Sequence, residues 1–225
     1  MKIFPIGLVV QGRDCFVAGG GQDAVERVRR LEASGGRVTV FAEVLEAPLA
    51  AIVADPFHAV RWERREMRPE DLDAGPFVVI DTRRDDALAE ALYERATQAR
   101  VLLCAIDLPR WCMFSNLAIA DVGELTVALG SGGSAPGLLR RLRDDLVAGL
   151  GGSFPSFTRY VADVRALASP ETRRAAVAEA IAGLRLEIVV HYPSRWRERW
   201  KAMAPASYES GVHDLPMASA DARSS

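Results

Sequence analysis

Three consecutive glycines, Gly19 to Gly21, constrain the fold of this chain more than any other feature of its sequence. They follow the apolar segment Asp14–Ala18, which predicts a buried strand, and precede Gln22–Ser34, whose apolar residues recur at helical spacing. A glycine loop between a strand and a helix is typical of a dinucleotide-binding unit, in which the helix N-terminus holds a diphosphate. The alternative interpretation is a mobile turn.

The spacing Gly19-x-Gly21-x-x-Ala24 gives each small residue of the loop a separate role. Gly19 permits the tight turn, Gly21 lets a diphosphate approach the backbone, and Ala24 lets the helix pack closely on the sheet. Glu43 lies just past the next predicted strand, where a carboxylate can hydrogen-bond ribose hydroxyls and repel the additional phosphate of NADP. The position of Glu43 therefore favours NAD over NADP, although Glu43 can equally be a solvated loop residue.

Short apolar runs alternate with amphipathic stretches as far as Asp107. This alternation predicts an α/β fold with an N-terminal Rossmann-like parallel sheet, in an NAD-binding domain of residues 1–112. The predicted strands are 14–18, 37–42, 58–64, 77–80 and 100–106, and the predicted helices are 22–34, 48–55 and 85–97, with a helical turn at 70–72.

The pattern changes after Trp111. Two short strands at 116–120 and 124–129, a loop of small residues and a helix at 136–148 predict a small α+β segment over 113–149. Helices predicted at 154–168, 170–186 and 194–203 make 150–204 a C-terminal helical domain. Residues 205–225 show no periodicity and are expected to form a disordered tail.

Composition and charge exclude several classes of function. A formal net charge of −2 gives no reason to expect nucleic acid as a partner, and the apolar runs are too short or too charged for a membrane span. The N-terminus lacks the apolar core and cleavage site of a signal peptide. Cys15, Cys104 and Cys112 are expected to be buried thiols of a cytoplasmic protein, and neither they nor the histidines form a metal-ligand pattern.

Five motifs occur along the chain in a fixed order. They are Phe4-Pro5-Ile6 with Gly12-Arg13-Asp14, Gly19-Gly20-Gly21, Val38-Thr39-Val40-Phe41-Ala42, Ala105-Ile106-Asp107, and Ser131-Gly132-Gly133-Ser134-Ala135-Pro136. Together they resemble the precorrin-2 dehydrogenase/sirohydrochlorin ferrochelatase family, which includes the N-terminal module of bacterial sirohaem synthase. The resemblance covers about residues 3 to 200.

This resemblance implies an enzyme that oxidises precorrin-2 to sirohydrochlorin with NAD and, as in many members, also inserts ferrous iron as a substrate. It implies that Asp107 is the general base, although an aspartate at a strand end is also a common turn residue. It further implies a homodimer, in which the segment 113–149 joins the two subunits and borders the substrate cleft. The implied cofactor-binding residues are Gly19, Gly21, Gln22, Asp23, Glu43, Val44 and Thr82. The implied tetrapyrrole-binding residues are Ser131, Gly132, Gly133, Arg140 and Arg143, although a solvated helix face is the alternative for either arginine.

The chain departs from this family pattern after the fourth predicted strand. Where the family has Ala-Thr-Asp-Asp and then Asn, this chain has Asp81-Thr82-Arg83-Arg84-Asp85-Asp86 and then Leu88 or Ala89. The change favours a second hypothesis, a non-catalytic relative that binds NAD or a tetrapyrrole as a sensor or accessory protein. The retained Asp107 favours an enzyme. A short-chain dehydrogenase is excluded because no tyrosine is followed four residues later by lysine.

Overall fold

The computed structural model describes residues 3–213, which divide into two compact units, 3–169 and 170–213. The first unit contains a parallel sheet of β1 (Asp14–Ala18), β2 (Arg37–Phe41), β3 (Val60–Glu63), β4 (Val78–Asp81) and β5 (Leu102–Ala105). Its strand order is β3-β2-β1-β4-β5, so the succession of strands reverses between β1 and β4. This confirms the predicted α/β class, and ligands bind such sheets at the carboxyl edge of the reversal point.

Helices α1 (Gln22–Ala33), α2 (Ala47–Ala54) and α3 (Asp86–Ala99) connect these strands, with a 3-10 helix at Pro69–Ala74. Successive residues of β1 point to opposite faces of the sheet because strand side chains alternate. Phe16 therefore belongs to a core cluster with Leu92 of α3, whereas Val17 belongs to a second cluster with Val25 of α1. Helices therefore pack on both faces of the parallel sheet and hold its strands in position.

A hairpin of β6 (Ala118–Val122) and β7 (Leu125–Leu129) follows the sheet, then α4 (Pro136–Leu150) and α5 (Phe154–Leu167). Its turn is at 123–124 instead of 121–123, because Val122 pairs with Leu125. The turn packs against α5: the Glu124 amide donates to Thr158 Oγ1 at 3.1 Å. The first unit consequently extends through α5, beyond the boundary predicted at residue 150.

The second unit contains α6 (Arg173–Ala180), α7 (Trp196–Met203) and α8 (Pro205–His213). The helix predicted over 170–186 ends at Ala180, and Gly183 soon after it adopts a left-handed conformation with φ of +82°. Pro205–His213 is helical where a tail was predicted, since Tyr208 packs edge-on against Trp200 at 5.2 Å between ring centroids. Residues 214–225 of that predicted tail lie outside the described residues. Over 3–213, no helix combines the length and the apolar character needed to cross a membrane.

Candidate functional site

A cleft of about 350 Å³ opens at the carboxyl edge of the sheet, beside the ends of β1 and β4. This is the edge at which open parallel sheets bind ligands, and its volume is within the range of small-molecule sites. The residues that line it are Gly19, Gly20, Gly21, Gln22, Asp23, Glu46, Thr82, Arg83 and Arg84. Gly19, Gly21, Gln22, Asp23 and Thr82 were predicted from the sequence, and the structure brings them together here.

Two glycines of the loop are packed too tightly to carry a side chain. Gly19 has a φ of +111°, and a Cβ at this position would lie well under 3.0 Å from Thr82 Oγ1. A Cβ on Gly20 would lie equally close to the carbonyl oxygen of Val44. The Gly20 carbonyl also accepts a hydrogen bond from the Glu46 amide at 2.9 Å. The spacing of the glycines gives Gly20 no separate role, because this close approach of the loop after β2 is a tertiary contact.

Gly21 differs from its two neighbours because a Cβ at this position would meet only the end of a flexible side chain. It is the N-cap residue of α1, with a φ of −90° and no side chain capping the helix. A Cβ here would meet the Glu46 carboxylate, 3.3 Å from Oε1. The first amides of a helix lack partners within the helix and carry a partial positive charge. This end of α1 therefore fits the diphosphate of a dinucleotide.

At the end of β4, the cleft residue Arg83 forms an ion pair with the buried Asp81. The Asp81 side chain is 1% exposed, and Arg83 Nε donates to its Oδ1 at 2.8 Å. Arg83 Nη1 also donates to Glu66 Oε2 at 2.8 Å. Burial opposes the charge of Arg83, but the hydrogen bonds and negative charges of Asp81 and Glu66 outweigh it and raise its pKa. Arg83 is thus a structural cation, already neutralised by two carboxylates.

Arg84 lines the cleft and joins it to Asp107, which lies outside the lining. Its Nη2 lies 2.6 Å from Asp23 Oδ2 at the start of α1, and its Nε donates to Asp107 Oδ2 at 2.7 Å. Asp107 occupies the third position of the turn from Ala105 to Leu108, with a φ of +62°. Aspartate tolerates this left-handed conformation better than most residues. The candidate base is therefore held at the cleft by an arginine whose role the sequence left open.

Two predicted cofactor residues lie outside the cleft lining. Glu43 and Val44 form an exposed bend after β2, and the acidic residue after β2 that lines the cleft is Glu46, the N-cap residue of α2. Spacing alone favoured Glu43 because it follows the strand more closely. A cofactor contact for Glu43 or Val44 stays a prediction.

The second glycine loop is not part of this cleft. Ser131 Oγ accepts a hydrogen bond from the Ala135 amide at 3.0 Å, so the loop closes on itself before α4. Gly132 and Gly133 adopt positive φ values of +61° and +90°. On α4, the side chain of Arg140 is exposed and Arg143 pairs with Asp144 at 2.7 Å. Their contact with substrate stays a prediction. Within 3–213, no three His, Cys, Asp or Glu side chains group to hold a metal ion.

Residues 6–118 match the protein family described as "Putative NAD(P)-binding". The chain belongs to this family. The matched region contains all five strands of the parallel sheet and every residue that lines the cleft. The glycine-loop cleft therefore lies within the region that the family model matches.

Two curated relatives extend the similarity beyond the nucleotide site. Siroheme synthase of Methylobacillus flagellatus is 32% identical over 166 residues, 73% of this chain and 35% of that protein. Siroheme synthase 1 of Pectobacterium atrosepticum is 36% identical over 146 residues, 65% of this chain and 30% of that protein. The chain thus spans about a third of the length of these relatives. The solved structure of SirC, precorrin-2 dehydrogenase, has the same fold, with a TM-score of 0.66 over 95% of this chain and all of that chain at 18% identity.

The glycine geometry gives a prediction that separates folding from cofactor binding. We expect Gly20→Ala to lower the free energy of unfolding by about 1–3 kcal/mol, because its methyl group displaces the Val44 backbone. Gly21→Ala should keep its stability, since a φ of −90° accommodates alanine, but should bind NAD about tenfold or more weakly because the methyl group obstructs the diphosphate. Urea denaturation and calorimetric titration with NAD measure the two effects. Equal losses of stability, or unchanged NAD affinity in Gly21→Ala, would contradict the assignment.

Proposed function

We propose that this protein catalyses the NAD-dependent oxidation of precorrin-2 to sirohydrochlorin, in the biosynthesis of sirohaem. The observation that carries the proposal is that Arg84 joins the glycine-loop cleft to Asp107, the residue implied as the general base. The similarity to two siroheme synthases and the fold shared with SirC support the same reaction.

The cofactor in this proposal is NAD, which supplies the hydride acceptor when bound. The amides at the start of α1 hold its diphosphate, and Gly21 leaves room for it. Glu46 in the cleft lining, together with Glu43 nearby, places negative charge after β2. This charge disfavours the additional phosphate of NADP, which is the reason we propose NAD as the cofactor.

The oxidation removes a hydride and a proton from the macrocycle, and Asp107 accepts the proton. Its side chain is 66% exposed, so a large flat substrate can reach it. Arg84 Nε holds Oδ2, which orients the carboxylate and leaves Oδ1 to take the proton. Arg84 is thus a positioning residue in this proposal.

The test is to supply precorrin-2 and NAD in the absence of oxygen and to follow the absorption of sirohydrochlorin and NADH. We expect both products to appear together. The alternative function is a non-catalytic sensor or accessory protein, which the departure of residues 82–88 from the family pattern favours. Binding of NAD or sirohydrochlorin without turnover would establish that alternative and overturn the enzyme.

We extend the proposal to insertion of ferrous iron into sirohydrochlorin, with Asp107 accepting protons from the pyrrole nitrogens. The expected result is that the sirohydrochlorin spectrum changes faster with ferrous iron and protein than with ferrous iron alone. Equal rates would limit the protein to the oxidation.

We place both reactions in the cytoplasm, where reducing conditions maintain the free thiols of Cys15, Cys104 and Cys112.

We propose that the active form is a homodimer joined through β6, β7 and α4. A two-stranded sheet is marginal by itself, and Leu125, Leu138 and Leu142 expose apolar surface around it. We expect sedimentation velocity to give the mass of a dimer and the double variant Leu138→Glu, Leu142→Glu to give that of a monomer. A wild-type monomer at assay concentration would contradict the proposal.

A further inference from the structure

Cys104 and Cys112 lie opposite each other at the start and the end of the loop that carries Asp107. They form an isolated antiparallel bridge, and the Met113 amide donates to the Leu103 carbonyl at 2.8 Å. This bond places the two cysteines in a non-hydrogen-bonded pair, in which Cα atoms are about 4.5 Å apart. That separation is within the range of roughly 4.4–6.8 Å that disulfides span. The Sγ atoms are already 3.7 Å apart.

The two thiols differ in exposure and in acidity. Cys104 is buried, and its Sγ accepts a hydrogen bond from Asn116 Nδ2 at 3.2 Å. Cys112 is partly exposed. The hydrogen bond between the two thiols lowers the pKa of Cys112 to about 7 and, with burial, raises the pKa of Cys104. Because the thiolate is the nucleophile, Cys112 is the one equipped to react first.

We infer that Cys104 and Cys112 form a reversible redox site that a low-molecular-weight disulfide converts into an intramolecular disulfide. The Cys112 thiolate attacks one sulfur of the small disulfide and expels a thiolate, leaving a mixed disulfide on Cys112. Cys104 then loses its proton and attacks Cys112 Sγ, which expels the second small thiol. One small disulfide is reduced to two thiols, and the two protein thiols are oxidised to one disulfide.

The fold accommodates this bond with little rearrangement. The sulfur atoms need to approach from 3.7 Å to about 2.05 Å, while the backbone pair already has a suitable spacing. The closed ring, residues 104–112, contains Asp107, and beside Cys112 it is held where Trp111 Nε1 donates to Asp86 Oδ1 at 3.0 Å. Oxidation therefore links the end of the Asp107 loop covalently to β5. This inference does not depend on the proposed reaction.

The experiment treats the native full-length protein with oxidised glutathione and counts thiols after denaturation. The chain has three cysteines, so we expect three thiols before treatment, one after it, and three again after dithiothreitol. Tryptic digestion should yield peptide 101–110 joined to peptide 111–140. Cys15→Ala is the matched control because Cys15 is outside the pair, and its count should fall from two to none.

Two variants separate an internal disulfide from simple modification of one thiol. We expect Cys104→Ala to accumulate a stable glutathione adduct on Cys112, whereas Cys112→Ser should acquire no adduct on the buried Cys104. A stable adduct on Cys112 of the wild-type protein, with Cys104 remaining a free thiol, would overturn the inference. Disulfides found only between chains would overturn it as well.

Discussion

Replacing Arg83 with methionine is expected to lower the free energy of unfolding by about 3–5 kcal/mol, because it leaves the buried Asp81 carboxylate without its partner. The side chains of Asp81 and Arg83 are 1% and 11% exposed, so solvent cannot replace the lost charge. Methionine retains much of the aliphatic stem and removes the guanidinium. Urea denaturation monitored by circular dichroism measures the change.

The adjacent arginine provides the matched control. Arg84 is 49% exposed and its partners are exposed to a similar or greater extent, so Arg84→Met should leave the free energy of unfolding nearly unchanged. If both variants lose the same stability, the difference in burial does not govern these two ion pairs. If Arg83→Met is as stable as wild type, the ion pair is not what supports the end of β4.

Asp107→Asn is expected to lower kcat for precorrin-2 oxidation by about 10²–10⁴-fold, the usual contribution of a positioned general base. Asparagine tolerates the φ of +62° that this position requires, so the turn should keep its shape. Affinity for NAD should be retained because Asp107 does not line the nucleotide cleft. Steady-state kinetics and calorimetry measure the two quantities.

An aspartate outside the cleft controls for the change in charge. Asp145 on α4 is exposed and pairs with Arg141, so Asp145→Asn should retain wild-type kcat. Full activity of Asp107→Asn would assign the proton to another group. A loss of NAD affinity that matches the loss of kcat would make Asp107 a cofactor-binding residue instead of a base.

The sheet could be predicted because its signals are local. The alternation of apolar runs and amphipathic stretches located all five strands to within a few residues, and the glycines between β1 and α1 marked the cleft. The hairpin was predicted with its turn displaced, since the pairing of Val122 with Leu125 depends on register. The helix ending at Ala180 was predicted too long because apolar residues after it are exposed in irregular structure and do not continue the helix.

The side-chain contacts of the cleft could not be predicted, because they join residues distant in the chain. Arg83 and Arg84 are adjacent arginines with different partners. Arg83 pairs with the buried Asp81, whereas Arg84 pairs with the exposed Asp107. The approach of Gly20 to Val44 likewise cannot be predicted from the spacing of residues in the sequence. The resemblance to a family located Asp107, while the structure supplied the arginine that connects it to the cleft.

The proposed oxidation is tested most sharply by the amount of NADH formed for each sirohydrochlorin when wild-type protein converts precorrin-2 without oxygen. We expect equal amounts of the two products, because one hydride leaves the substrate in each turnover. Sirohydrochlorin formed without NADH, or no sirohydrochlorin from protein that binds NAD, would contradict it.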